Sequence, residues 1–189
     1  MTARLNLRLS LARLIVPASV RKRKLAELFG LTARAFRASP PSVEGLSWRR
    51  RLRRYACFTA TMAEETARAG ADVEATQKRL FGEAAYLGQA LAKELRVASF
   101  AQVMSAARIL YRNLRIDLKC DGRGEIVVRK CFFARFYSPA ACRLMSSLDA
   151  GIFAGLAGGG TLVFDRRLTE GHDCCRAHFG LLGAPCEQP

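Results

Sequence analysis

Ser138-Pro139 and Gly158-Gly159-Gly160 bracket an apolar segment with room for one helix. Ser138 can offer its side-chain oxygen to the orphan amides of a first turn, and Pro139 sits where a missing N–H costs nothing. The glycine run is too flexible to carry the helix further. A helix is therefore expected over residues 139–156. Before it, residues 125–136 are dense in Ile126, Val127, Val128, Phe132, Phe133 and Phe136, types that suit a pleated, buried surface. After it, residues 161–168 and 174–179 read as strands joined by the Glu170-Gly171-His172-Asp173 turn. A β-hairpin over residues 116–120 and 125–131, turning at Asp121-Gly122-Arg123-Gly124, brings the sheet to about four strands.

Upstream the apolar spacing turns helical. Leu25, Leu28, Phe29, Ala33 and Phe36 make one seam, and Trp48, Leu52, Tyr55, Thr59 and Met62 or Ala63 a second. Asp72 is placed to cap a third helix, whose Leu80, Ala84, Leu87, Leu91 and Leu95 share a face. Gly82 and Gly88 inside it predict a close approach by another backbone or by a ligand, with close backbone packing favoured. Ser99 and Gln102 predict a capping box before Phe100, Val103, Met104, Ala107, Leu110, Tyr111 and Leu114. The expected fold class is α+β, with N-terminal helices packed on a small antiparallel sheet and one helix inserted between strands.

Charge divides the chain. Residues 1–54 hold 14 Lys/Arg against 2 Asp/Glu, a net +12, whereas residues 55–189 hold 17 against 14, a net +3. Residues 1–38 are accordingly expected to be a basic amphipathic arm, residues 47–180 a single α+β domain and residues 181–189 a tail. Ser39-Pro40-Pro41-Ser42 serves as the linker. Within the arm, Leu5, Leu7, Leu9, Leu11, Leu14 and Ile15 interleave with Arg4, Arg8 and Arg13, a pattern that fits either a strand or a helix lying on an anionic surface. An anionic membrane surface is its expected partner, and the Arg49–Arg54 cluster adds to the same field. No specific nucleic acid is expected, because no nucleic-acid motif and no interleaved stacking aromatics occur.

Seven cysteines would suit a disulfide framework, but the start of the chain lacks a continuous apolar signal region and the odd count leaves a thiol over. A reduced cytoplasmic protein is expected, peripheral to the inner membrane through its arm, with no spanning helix. Gly158-Gly159-Gly160 follows a helix and lacks a following Lys-Ser/Thr, so it is no phosphate loop. His178 alternates with Arg176 and reads as a surface residue.

Cys131 closes a strand, Cys142 and Asp149 lie two turns apart on one helix face, and Thr169, Gly171 and Cys175 form a Thr-x-Gly-x-x-x-Cys strand turn. This series resembles the L-2-amino-thiazoline-4-carboxylic acid hydrolase-like family, itself similar to vinyl-reductase-type small-molecule-binding domains, over roughly the last hundred residues. His172 stands where that family often has an acidic residue. The resemblance implies hydrolysis of a small cyclic C–N or C–S substrate such as an aminothiazoline carboxylate. A water or a thiolate, Cys142 or Cys175, would attack the ring, Asp149 would move the proton, an Arg would hold the carboxylate, and Cys131, Thr169, Gly171 and His172 would bind substrate. Cys142 near a helix start has a source of lowered pKa, and His172 could shuttle protons near neutral pH. No cofactor and no metal are expected. Two other readings stay open: a non-catalytic sensory module that binds a small molecule or a metal, with Cys131, Cys142, Cys175 and His172 as soft ligands, and a peripheral membrane protein.

Overall fold

The computed structural model describes residues 6–14, 16–70 and 72–181; Leu5, Ile15 and residues 182–189 of the tail lie outside them. The elements run α1 (Leu7–Leu14), α2 (Ala18–Phe36), α3 (Trp48–Ala69), α4 (Val73–Leu95), α5 (Phe100–Asn113), β1 (Ile116–Cys120), β2 (Glu125–Cys131), α6 (Pro139–Ala157), β3 (Thr161–Arg166) and β4 (Cys175–Gly180). Short 3-10 turns at Phe133–Arg135 and Leu168–Glu170 follow β2 and β3. The expected α+β class holds: helices cover an antiparallel sheet of strand order β1-β2-β4-β3, with α6 inserted between β2 and β3.

One face of the sheet is inward. Ile116, Leu118, Ile126, Val128, Ala177 and Phe179 are buried there, while Lys119, Arg176 and His178 occupy the exposed face. This is the alternation that a half-covered antiparallel sheet requires. The strands are shorter than the apolar runs that predict them, because the chain tightens into a 3-10 turn after Cys131 and again after Arg166.

The bracketed helix forms as its punctuation demands. Ser138 Oγ accepts a 3.1 Å bond from the Ala141 amide, Pro139 is the first helical residue, and Gly158 ends α6 in the left-handed region at φ 76°. α6 lies against α4 without a side-chain layer between them: a Cβ at Gly88 would meet Ile152 O at 2.5 Å, and one at Gly155 would strike the Ala85 carbonyl. Gly88 thus answers the expected close approach. Gly82 does not, since open space surrounds it. By length and composition α6 alone among the described residues could cross a membrane, yet most of it is buried within the domain.

Two expected caps are absent. Asp72 makes no cap bond, because its carboxylate is taken by Arg79 Nη2 at 2.6 Å, a charge-assisted bond stronger than an amide could offer. Ser99 makes none either, and the box does not form: Gln102 Oε1 accepts from the amide of Ala98, one residue before the cap.

The N-terminal third differs most from expectation. α2 is part of the core: Leu25, Leu28, Phe29, Leu31 and Ala35 are buried, and Arg79 Nε donates to Ala35 O from α4. Its cations are partly spent inside the molecule, Lys24 on Glu94 at 2.9 Å and Arg34 on Glu83 at 2.7 Å. Around residues 7–14 the open choice between strand and helix resolves to a helix. Asn6 Oδ1 accepts from the Leu9 amide, and Asn6 Nδ2 donates to Leu95 O and Arg96 O, so one side chain starts α1 and finishes α4. Arg8 adds a bond to Glu94 O. The segment 1–38 is therefore docked on the domain over its described residues, and does not project from it.

Candidate functional site

Between the inner face of the sheet and helices α3, α5 and α6 lies a cavity of about 100 Å³. Four expected site residues on three elements reach it. β2 delivers Cys131 at its end, α6 presents Cys142 and Asp149 with Ser146 between them on one face, and β4 opens with Cys175, in register with Val128 of β2. Thr169, on the 3-10 turn after β3, also lines the wall. Gly171 and His172 do not: both are exposed in the turn that follows, with Gly171 at φ 88°. The turn folds outward there, and His172 lies in solvent and not on the cavity wall.

Asp149 is the only carboxylate among the described residues lining this cavity, and no Lys, Arg or His lines it. Tyr111 Oη donates to Asp149 Oδ1 at 2.5 Å. Burial pushes the Asp149 carboxyl up to about 6, against the lowering effects of the Tyr111 bond and the Arg167 charge. Tyr111 is itself pushed well above the phenol range, first by burial and then by the Asp149 charge, so it keeps its proton and remains a donor. Tyr55 and Tyr137 complete a ring of phenols, and Tyr137 Oη shares a 2.6 Å bond with Thr59 Oγ1.

The thiols reverse the expectation of an activated Cys142. Burial pushes Cys142 up to about 11 and Cys131 up to about 12, and raises Cys175 as well. Each meets an opposing donor: the Thr169 hydroxyl at Cys142, the Phe133 and Ala134 amides at Cys131, and the Leu168 amide at Cys175, 3.3 Å from its sulfur. None offsets the loss of water. The start of α6 gives Cys142 no relief, because its amide is already bonded to Ser138 O and its thiol points inward. Thr169 Oγ1 has no well-formed hydrogen-bond partner among the described residues although it is buried.

All six cysteines among the described residues are free thiols, and no three His, Cys, Asp or Glu side chains among those residues converge to hold a metal ion. The soft-ligand set with His172 thus fails on geometry, because His172 faces solvent on the far side of its turn.

Sequence reasoning missed Arg167. Its guanidinium lies 4.7 Å from the Phe164 ring, its Nε donates to Ser146 Oγ at 3.3 Å, and its charge acts on Asp149, Cys142 and Cys175. A register shift between Phe164 and Arg166 precedes it in the chain, an irregularity with no signal in the residue pattern. Tyr55 and Tyr111 read as seam residues and are also cavity residues; their hydroxyls, which a core position must satisfy, were the available signal.

Fold and site together define an α+β domain enclosing a small, chiefly apolar chamber with one ionisable carboxyl on its wall. Compared with known proteins, the chain matches no family model, no curated protein and no solved structure.

Proposed function

We propose that the protein binds a compact, mainly apolar molecule carrying a protonated or hydrogen-bond-donating nitrogen. The observation that carries this reading is the lone Asp149 carboxylate in a wall without cations. A buried carboxylate is stabilised by a cationic partner, and the phenol and phenyl rings around it attract a cation through their faces. The chamber is close in size to the ~150 Å³ cavity that accepts benzene in another protein, so a single five-membered ring is of the right order. An amidine-like ring, which the resemblance implies, meets the same requirement. A carboxylate on that ring would find its counter-charge only at Arg167, which does not line the cavity.

Ring hydrolysis is the second reading, and the Asp149 carboxyl near 6 beside Tyr111 favours it. The oxygen of a water would bond to the amidine-like ring carbon while Asp149 takes its proton. The ring C–N or C–S bond would then break as the departing atom gains that proton. The raised thiols favour water over Cys142 or Cys175 as the attacking group.

Titration calorimetry with 2-aminothiazoline, its 4-carboxylate and neutral thiophene tests both. The binding reading expects 2-aminothiazoline to bind best and Asp149→Asn to weaken it by roughly tenfold or more, the value of a charge-assisted bond. Equal affinity in the variant would overturn it. Release of a carbamoyl-cysteine from the carboxylate would establish hydrolysis.

A membrane-surface role for the N-terminal region is supported by a different feature. Leu7, Leu11 and Leu14 of α1 are 64, 58 and 78 % exposed and form one helical stripe, followed in the chain by the exposed Lys22 and Arg23 of α2.

A further inference from the structure

A second recess, of about 580 Å³, lies on the outside of the domain between α5 and the end strand β1. Arg108 and Arg112 enter it from one face of α5, Arg115 from the turn that follows, Lys119 from β1 and Lys130 from the neighbouring β2. Asp117, opposite Lys130 in the β1–β2 register, is the only acidic residue among the described residues that line it. The wall therefore carries five cations against one carboxylate, in a body that is otherwise nearly balanced in charge.

Helix polarity accounts for part of this set, since Arg112 lies in the last turn of α5, where carbonyls favour a cation. It does not account for Lys119 and Lys130, which come from strands, or for Arg115. Arg115 holds φ 60°, a left-handed conformation unusual for a side-chain-bearing residue, and its guanidinium is stacked 5.7 Å over the Phe132 ring. Arg108 and the strand lysines reach the recess from different elements, and like charges gathered in a concave site favour a shared counter-ion. β1 also ends the sheet, so among the described residues one of its edges has no strand partner.

We infer that this recess binds a small polyphosphate anion, with phosphates bridging the α5 arginines and the strand lysines. The recess is of the size of small-molecule sites, and its cations come from α5, the turn after it and two strands, which fits two or more phosphate groups better than one. This inference stands apart from the internal chamber and its ligand.

Inorganic tripolyphosphate is the probe. The full chain is titrated calorimetrically with tripolyphosphate and with orthophosphate, at low and at physiological salt, alongside Lys119→Gln and Lys130→Gln. Both lysines are exposed, so far-UV circular dichroism and Tm of the unliganded variants should match the unmodified protein. The expected result is tripolyphosphate binding that raises Tm, exceeds orthophosphate, weakens with salt and falls by roughly tenfold or more in either variant. Affinity for tripolyphosphate unchanged in both variants, or no greater than for orthophosphate, would overturn the inference. So would failure to bind tripolyphosphate while a single-stranded oligonucleotide or phosphatidylserine vesicles bind through the same lysines, an outcome that assigns the recess to a macromolecule.

Discussion

Tyr111 and Asp149 are 38 residues apart in the chain and 2.5 Å apart at their oxygens. The bond joins α5 to α6 across the chamber wall and gives the buried carboxyl a strong donor. Because burial outweighs that donor, the folded protein holds Asp149 nearer to neutral pH than the unfolded chain does. The group is raised from 3.8 to about 6, so it favours folding fully below 3.8, and that contribution is lost as pH rises through 6. The span is about 3 kcal/mol. Asp149→Asn should therefore gain stability relative to the unmodified protein between pH 4 and pH 7, with a constant difference above that. Paired urea titrations over this range check it; a difference that does not change with pH contradicts the raised carboxyl.

Thiol labelling separates packing from catalysis. Cys57 is exposed on α3, whereas Cys131 and Cys142 are half-buried, face the chamber and have raised thiols. Iodoacetamide at pH 8, read by peptide mass spectrometry, should modify Cys57 first and the other two only after denaturant is added. Rapid labelling of Cys142 in the folded protein would restore it as a nucleophile.

The helix contact makes a sharp stability prediction. Gly155→Leu forces a branched side chain into the Ala85 carbonyl and should cost at least about 3 kcal/mol, while Gly82→Ala, in open space on the same pair of helices, should stabilise by up to about 1 kcal/mol. Chemical denaturation of the two variants decides it, and similar effects at both positions would show that the backbones do not meet there.

On α1, Leu7→Asp and Leu14→Asp should weaken sedimentation with phosphatidylserine vesicles several-fold without lowering Tm, since both side chains are exposed. Added salt should weaken it further. Binding that is equal on neutral vesicles, or equal in the variants, removes the membrane reading. Deleting residues 1–24 is a poor test, because Leu9 is buried and Asn6 and Arg8 hold the end of α4.

Much of the fold is legible in the residues because its signals are local. Ser138-Pro139 and Gly158 act through bonds within a turn of themselves, and the inward alternation of Ile126 and Val128 needs only the period of a strand. What was missed depends on distance. Nothing near Asp72 or Ser99 in sequence reveals that Arg79 will claim the first or that Gln102 will bypass the second. α2 looked like an arm because its cations were counted without Glu83 and Glu94, which lie on another helix. The site shows the same limit. Cys131, Cys142, Asp149, Thr169 and Cys175 could be placed on elements that meet, but burial decides their protonation, and burial is a property of the assembled wall. It turned the expected effect of a helix start on Cys142 into its opposite.

The contact between α4 and α6 also bears on what the chamber can accept. Side chains between two helices can change rotamer and let one helix slide; backbones in direct contact have no such layer to yield. α6, which carries Cys142, Ser146 and Asp149, is in this way fixed from behind by Gly88 and Gly155. Its side of the chamber is the stiff one, so a molecule slightly too large must be accommodated by the sheet and the two 3-10 turns, where Cys131, Thr169 and Cys175 sit. The carboxyl keeps its position, and compliance is left to the opposite wall.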